Sequence, residues 1–147
     1  MNPDADAEDR VYAEVFSIDD FYKVAETCLE EYNQTHKNRM NLVIFRYVLE
    51  HLSRMCRILR SPGGHALLVG VGGSGRQSLT KLATAMASYG FFQPEISKNY
   101  GTFEWREDIK NVMKKAGGEG KPTTFLIADS QIKQVSIRSS VLPEHFT

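Results

Sequence analysis

The sequence contains no apolar run of about 18 residues, the length a helix needs to cross a bilayer, so no membrane span is expected. Its N-terminus, Met1-Asn2-Pro3-Asp4-Ala5-Asp6-Ala7-Glu8-Asp9, is acidic and has no apolar stretch, which excludes a secretory signal and a mitochondrial transit peptide there. Cysteine is scarce. Cys28 and Cys56 both fall on apolar helical faces and build neither a disulfide framework nor a metal spacing, and a reducing, cytosolic setting follows. Charge of either sign is not in excess: 18 Lys+Arg stand against 18 Asp+Glu, which argues against a freestanding nucleic-acid binder. What remains is ordinary for a soluble globular domain, with 147 residues, 41% hydrophobic and 24% charged.

Residues 1–16 read as a loose acidic lead-in. Ser17-Ile18-Asp19-Asp20 has the form of a capping box with Asp in the Glu position, and Phe21, Val24, Ala25, Cys28, Leu29 and Tyr32 then recur at helical spacing, so a helix is predicted over about 18–36. A second helix is predicted from the steps of three and four between Leu42, Phe45, Leu49, Leu52, Cys56 and Leu59, stopped by Ser61-Pro62-Gly63-Gly64. The pattern then changes. His65-Ala66-Leu67-Leu68-Val69-Gly70 is a short apolar run without alternation, as a buried parallel strand would be. After a glycine-rich turn, Leu79, Leu82, Ala83, Met86 and Ala87 mark a helix ending near Gly90. Phe91 to Ser97 reads as a second strand weakened by Pro94, Trp105, Ile109, Val112 and Met113 mark a helix over about 103–116, and Thr123 to Ala128 reads as a third, buried strand closed by Asp129. Strand, helix, strand, helix, strand predicts an α/β fold with a parallel sheet. Three parallel strands cannot cover their own faces and edges, so the sheet is incomplete and the sequence reads as the front part of a domain, with residues 17–60 as N-terminal helices and 65–133 as the α/β core.

The turn itself carries the chemistry. A strand that runs through glycines into a helix turns backbone N–H groups toward an anion, and the helix N-terminus adds positive partial charge. Gly70-Val71-Gly72-Gly73-Ser74-Gly75-Arg76-Gln77 matches the glycine frame of the phosphate loop G-x-x-x-x-G-K-[ST], with Arg76 in the lysine position and Gln77 in that of the magnesium-binding hydroxyl. Arginine is forked where lysine is a point charge, so the exchange is not conservative. Ser78 comes one residue late, about 100° around the helix. The same glycines also match G-x-G-x-x-G through Gly70, Gly72 and Gly75, with Glu95 about 20 residues on as the acid of a dinucleotide site. A ligand-free turn is the third reading, disfavoured by four glycines in six residues, each of which costs chain entropy on folding.

ATP hydrolysis needs an acid beside Mg²⁺ and a second group to orient water. Phe125-Leu126-Ile127-Ala128-Asp129-Ser130-Gln131 offers one carboxylate, Asp129. If it is the magnesium-side acid, Ser130 stands where the second acid belongs; if it orients water, Ala128 stands at the magnesium side. A third possibility is that Asp129 only caps the strand end.

Arg39-Met40-Asn41-Leu42-Val43-Ile44-Phe45, then Leu67 to Leu79, Phe92 to Lys98 and Asp129-Ser130-Gln131-Ile132-Lys133, resemble the dynein heavy chains, and in particular the fourth AAA+ module of the axonemal (ciliary) type, whose loop G-V-G-G-S-G-R-Q-S-L departs from the lysine form in the same way. The resemblance covers roughly residues 1–133 and implies a P-loop NTPase fold, the large subdomain of an AAA+ module. By the same resemblance Gly70, Val71, Gly72, Gly73, Ser74, Gly75, Arg76, Gln77 and Ser78 are the phosphate loop for ATP or ADP, and Asp129 lies in the Walker B region as the candidate Mg²⁺ acid. Such heavy chains carry six modules in a ring and convert ATP turnover into movement along microtubules; the fourth module binds nucleotide and regulates. Implied partners are the other modules, dynein light and intermediate chains and microtubules, in the cytoskeleton of the cilium axoneme. The missing second acid and the absent hydroxyl predict binding without hydrolysis, with Mg²⁺ of little consequence. Gln134 to Thr147 follows none of the family's continuation, so this tail reads as divergent, from truncation, splicing or a misassembled gene. Two other functions stay open at this level: a vestigial, non-catalytic interaction fragment, and a dinucleotide-binding domain.

Overall fold

The computed structural model describes residues 14–73, 75–97 and 99–132, and the chain divides between Tyr89 and Gly90 into two compact units. The lead-in, Ser74 and the tail from Gln134 thus fall mostly or wholly outside the described residues.

The first unit holds α1 (Ile18–Thr35), α2 (Arg46–Arg60) and α3 (Arg76–Met86). Helix α1 begins where the sequence predicts: the Ser17 hydroxyl accepts from the Asp20 N–H at 3.2 Å. The Asp20 carboxylate lies 3.5 Å from the Lys23 ammonium. The helix ends at Thr35, where His36 takes an extended backbone and its ring stacks on Tyr32 at 4.0 Å. Apolar residues from all three helices then meet. Ala25, Leu49, Leu52, Met55, Leu82, Ala83 and Met86 are buried together, with Met40 from the connector.

That connector corrects one expectation. Residues 41–45 do not extend α2 backward; they form no regular element, Phe45 is extended, and the helix starts at Arg46. Leu42 and Ile44 pack against the core while Val43 and Phe45 face out, an alternation of period two that a three-residue step from Leu42 to Phe45 conceals. Asn33 fixes the connector. Its side-chain oxygen accepts from the Met40 N–H at 2.6 Å, and its amide nitrogen donates to the Met40 carbonyl at 3.1 Å. Both backbone groups of a buried residue are thereby satisfied, as burial requires.

Residues 65–70 correct a second. They form no regular element and, among the described residues, join no ladder, and Leu67 and Val69 are 78% and 86% exposed where a buried strand was expected. Only Leu68 turns toward the core. An apolar run forms a buried strand only when neighbouring strands cover it.

The second unit is a strand–helix–strand. β1 (Gly90–Phe92) and β2 (Thr123–Phe125) pair in parallel, Gly90 opposite Thr123 and Phe92 opposite Phe125, on either side of α4 (Thr102–Met113) in the sequence. The sheet of the described residues therefore has two short parallel strands, not three. β1 is shorter than the predicted 91–97 because Pro94, fully buried, has no N–H to give a ladder. Phe125 stacks on Phe92 at 5.7 Å and meets the buried Trp105 of α4 edge-on at 5.9 Å, which seats the helix on the sheet. The N-terminus of α4 is capped by the Glu104 carboxylate, which accepts from the Gly101 N–H at 2.8 Å. Glu104 is held below the usual carboxylate range by its own backbone N–H and that of Gly101. Beyond Met113 the chain runs into a π-helical turn, Lys114–Gly118.

Candidate functional site

The glycine loop lies in the first unit, directly before α3. Gly73 has φ +78°, and Gly75, the residue that opens α3, has φ +70° and ψ 9°. Side chains seldom adopt this left-handed region, so these two glycines are required by the backbone path itself. Gly75 then passes its carbonyl to the Leu79 N–H at 2.8 Å, the first hydrogen bond of the helix. A Cβ at Gly72 or Gly73 would meet nothing within 4 Å, whereas one at Gly75 would lie 3.5 Å from Leu42 Cδ1. Leu42, on the connector, thus supports the base of the loop, a role that the sequence pattern assigned to a helix.

Arg76 is the first residue of α3, and its guanidinium folds back over the loop. One terminal nitrogen donates to the Leu68 carbonyl at 3.4 Å, the other to the Val71 carbonyl at 3.2 Å. Gln77 is exposed and Ser78 half-buried in the first helical turn, which contains no acidic residue. Gly70, Val71, Gly72 and Gly73 are exposed. The structure therefore brings Gly70 to Gly73 and Gly75 to Ser78 into one turn leading to a helix N-terminus. Left-handed glycines with no side chain to fill the turn, an open approach and no carboxylate at the helix start suit a phosphate group.

Asp129 belongs to the second unit. It is exposed and opens a single 3₁₀ turn, Asp129–Gln131, which follows β2 after three intervening residues. Gln131, which the sequence reading passed over, organises this turn. Its side-chain oxygen accepts from the Ala128 N–H at 2.8 Å and from the Gln93 amide at 3.3 Å, while its amide nitrogen donates to the Pro94 carbonyl. The segments that follow the two strands are thereby clasped together. A Gln three residues after Ala128, the residue before the turn, has the spacing of a capping pair, and that was the available signal. Glu95, the acid of the dinucleotide alternative, is an exposed residue of the second unit.

Elsewhere, burial pushes the Cys56 thiol up to about 11, with Cys28 adding to the shift. Tyr100 donates to the Asp108 carboxylate at 2.5 Å, and burial followed by this bond raises its phenol far above the ordinary value.

Residues 40–142 match the family described as P-loop containing dynein motor region D4. Over all 147 residues the chain is 58% identical to dynein axonemal heavy chain 12 of Homo sapiens. It is 46% identical over 136 residues to dynein axonemal heavy chain 3 of Mus musculus, and 45% identical over 141 residues to dynein axonemal heavy chain 1 of Rattus norvegicus, covering 92% and 96% of this chain. The likeness therefore continues past Lys133. The chain spans 5% of the length of the first of these relatives and 3% of the other two. A glycine loop bent through two left-handed residues into a helix, in a sequence matched by that family over 40–142, establishes that the chain belongs to the dynein motor region D4 family, whose members have a P-loop NTPase fold.

Proposed function

We propose that this chain is the nucleotide-binding part of an AAA+ module, its large subdomain over residues 17–133, within a heavy chain of axonemal dynein. Residues Gly70 to Ser78 bind the phosphates of ATP or ADP. The observation that carries this reading is the left-handed Gly73 and Gly75 leading into α3 with no acidic residue in its first turn. Such a loop offers backbone N–H groups and the helix dipole to an anion.

The module binds and does not turn over nucleotide. Gln77 presents an amide where a hydroxyl would hold Mg²⁺, and Asp129 is the single strand-end carboxylate, so metal anchoring and water orientation are not both provided. By the family resemblance Asp129 is the candidate Mg²⁺ acid, and Mg²⁺ has little effect on affinity. The whole heavy chain works on microtubules in the cytoskeleton of the cilium axoneme, with the remaining modules and the light and intermediate chains as partners. This rests on relatives whose names are those of axonemal dynein heavy chains.

Thermal unfolding of the chain with ATP, ADP or NAD, each with and without Mg²⁺, tests the reading, because a ligand stabilises the state that binds it by mass action. Stabilisation by ADP and ATP, with little dependence on Mg²⁺ and none by NAD, is the expected result. Stabilisation by NAD alone would replace the reading with a dinucleotide site, and no stabilisation by any of them would leave a vestigial interaction fragment.

A further inference from the structure

We infer that Arg76 is a latch on the glycine loop: its guanidinium holds the loop through the Leu68 and Val71 carbonyls, and a phosphate-bearing ligand must release it to bind. This rests on the nucleotide reading given above and adds a regulatory step to the same site.

The position of Arg76 makes the two bonds informative. A cation at the first residue of a helix faces the positive end of the helix dipole, which is unfavourable, and no acidic residue in the first turn of α3 offsets it. Its guanidinium turns instead to two carbonyl oxygens, 3.4 Å away at Leu68 and 3.2 Å away at Val71. Leu68 lies before the glycines and packs on the core, whereas Val71 lies among them and is 84% exposed. One planar group therefore ties the outer part of the loop to its anchored root. The left-handed Gly75 immediately before Arg76 sets the direction from which the side chain returns. A lysine would hold the two carbonyls less firmly. Its ammonium is a compact point charge, whereas the guanidinium presents donors in a fixed fork that spans two acceptors. The arginine in the lysine position of the loop therefore exchanges a group free to meet phosphate for one already engaged. The same guanidinium is the natural partner of a phosphate once released, since arginine pairs with phosphate bidentately. Ligand entry is then an exchange of two carbonyls for phosphate oxygens, and the apparent affinity is reduced by the fraction of chains in which the latch is closed.

Two measurements on the full chain test this. The first is amide hydrogen exchange of residues 71–75 without ligand, in the parent and in Arg76→Lys and Arg76→Ala. The second is the association and dissociation of a fluorescent N-methylanthraniloyl ADP by stopped flow. Exchange in the loop should rise in both variants. Association should quicken by about 2- to 10-fold in Arg76→Lys, the factor expected for loss of one ordinary hydrogen bond, and by at least as much in Arg76→Ala. Dissociation should quicken most in Arg76→Ala, which lacks the cation that meets phosphate. Unchanged loop exchange in both variants overturns the latch, and so does association that is no faster than the parent's. Raised exchange with no binding of the probe by any of the three proteins overturns the nucleotide site and the release step while leaving the clamp, so the two failures are distinct.

Discussion

Replacing Gly75 by Ala and, separately, Gly72 by Ala sets the two kinds of glycine in this loop against each other. Gly75 has φ +70° and ψ 9° at the start of α3. An alanine there enters the left-handed region at a cost of about 1–2 kcal/mol. Its Cβ would rest 3.5 Å from Leu42 Cδ1, an ordinary contact, so sterics add nothing. The unfolded chain also loses freedom, which returns about 0.4–1 kcal/mol. The net destabilisation is about 1 kcal/mol, or about fivefold in the unfolding constant, and moves a urea midpoint down by about 0.3–1 M. Gly72 is not left-handed and its Cβ would meet nothing within 4 Å, so Gly72→Ala keeps only the unfolded-state term and is neutral to slightly stabilising. Urea denaturation followed by circular dichroism reads both. Equal midpoints for the two variants would refute the assignment of the loop's shape to left-handed glycine. Because Gly72→Ala carries no folding cost, any loss of ADP affinity in it reports on the ligand.

Leu52 is fully buried among all three helices' apolar residues, and Leu52→Ala should cost about 2–5 kcal/mol in the same denaturation experiment. The Cys56 thiol, raised to about 11 by burial, stays protonated in the folded chain through the range where an unfolded thiol ionises near 9. The folded state thus binds the extra proton, so this group's contribution to stability is present below pH about 9 and is lost as pH rises from 9 to 11. Peptide-mapped alkylation by iodoacetamide should show Cys56 slow at pH 8 in the native chain and fast in urea. Steady-state phosphate release from ATP should be at background for the parent and unchanged in Asp129→Ala; release that disappears in that variant would show that one carboxylate suffices.

How much of this was legible in the sequence depended on how local the cause was. The start of α1 follows from Ser17 and the carboxylate residue Asp20 three positions on, and the structure places the cap there. The core positions Leu49, Leu52, Leu82 and Met86 follow from a 3.6-residue period that persists long enough to be unambiguous. The start of α2 did not follow, because Leu42 and Phe45 fit a helical step as well as an alternating one, and what decides is the Asn33 side chain seven residues away binding the Met40 backbone. The strand predicted over 65–70 joins no sheet among the described residues, since apolar composition specifies a preference for cover and not the cover itself. At the site, the glycines at 73 and 75 were readable from their spacing. The partners of Arg76 were not, because the Leu68 and Val71 carbonyls become its neighbours only once the loop has bent. Gln131 was missed for a similar reason, its bonds to Gln93 and Pro94 joining segments nearly 40 residues apart.

The most direct test of the central claim is a calorimetric titration of ADP into the full chain and into Gly75→Val, without Mg²⁺. The account predicts a saturable heat at about one ADP per chain for the parent and none for the variant, whose side chain would force the left-handed turn out of shape. No heat with the parent, or the same affinity in Gly75→Val, would contradict the assignment of Gly70 to Ser78 as the nucleotide loop.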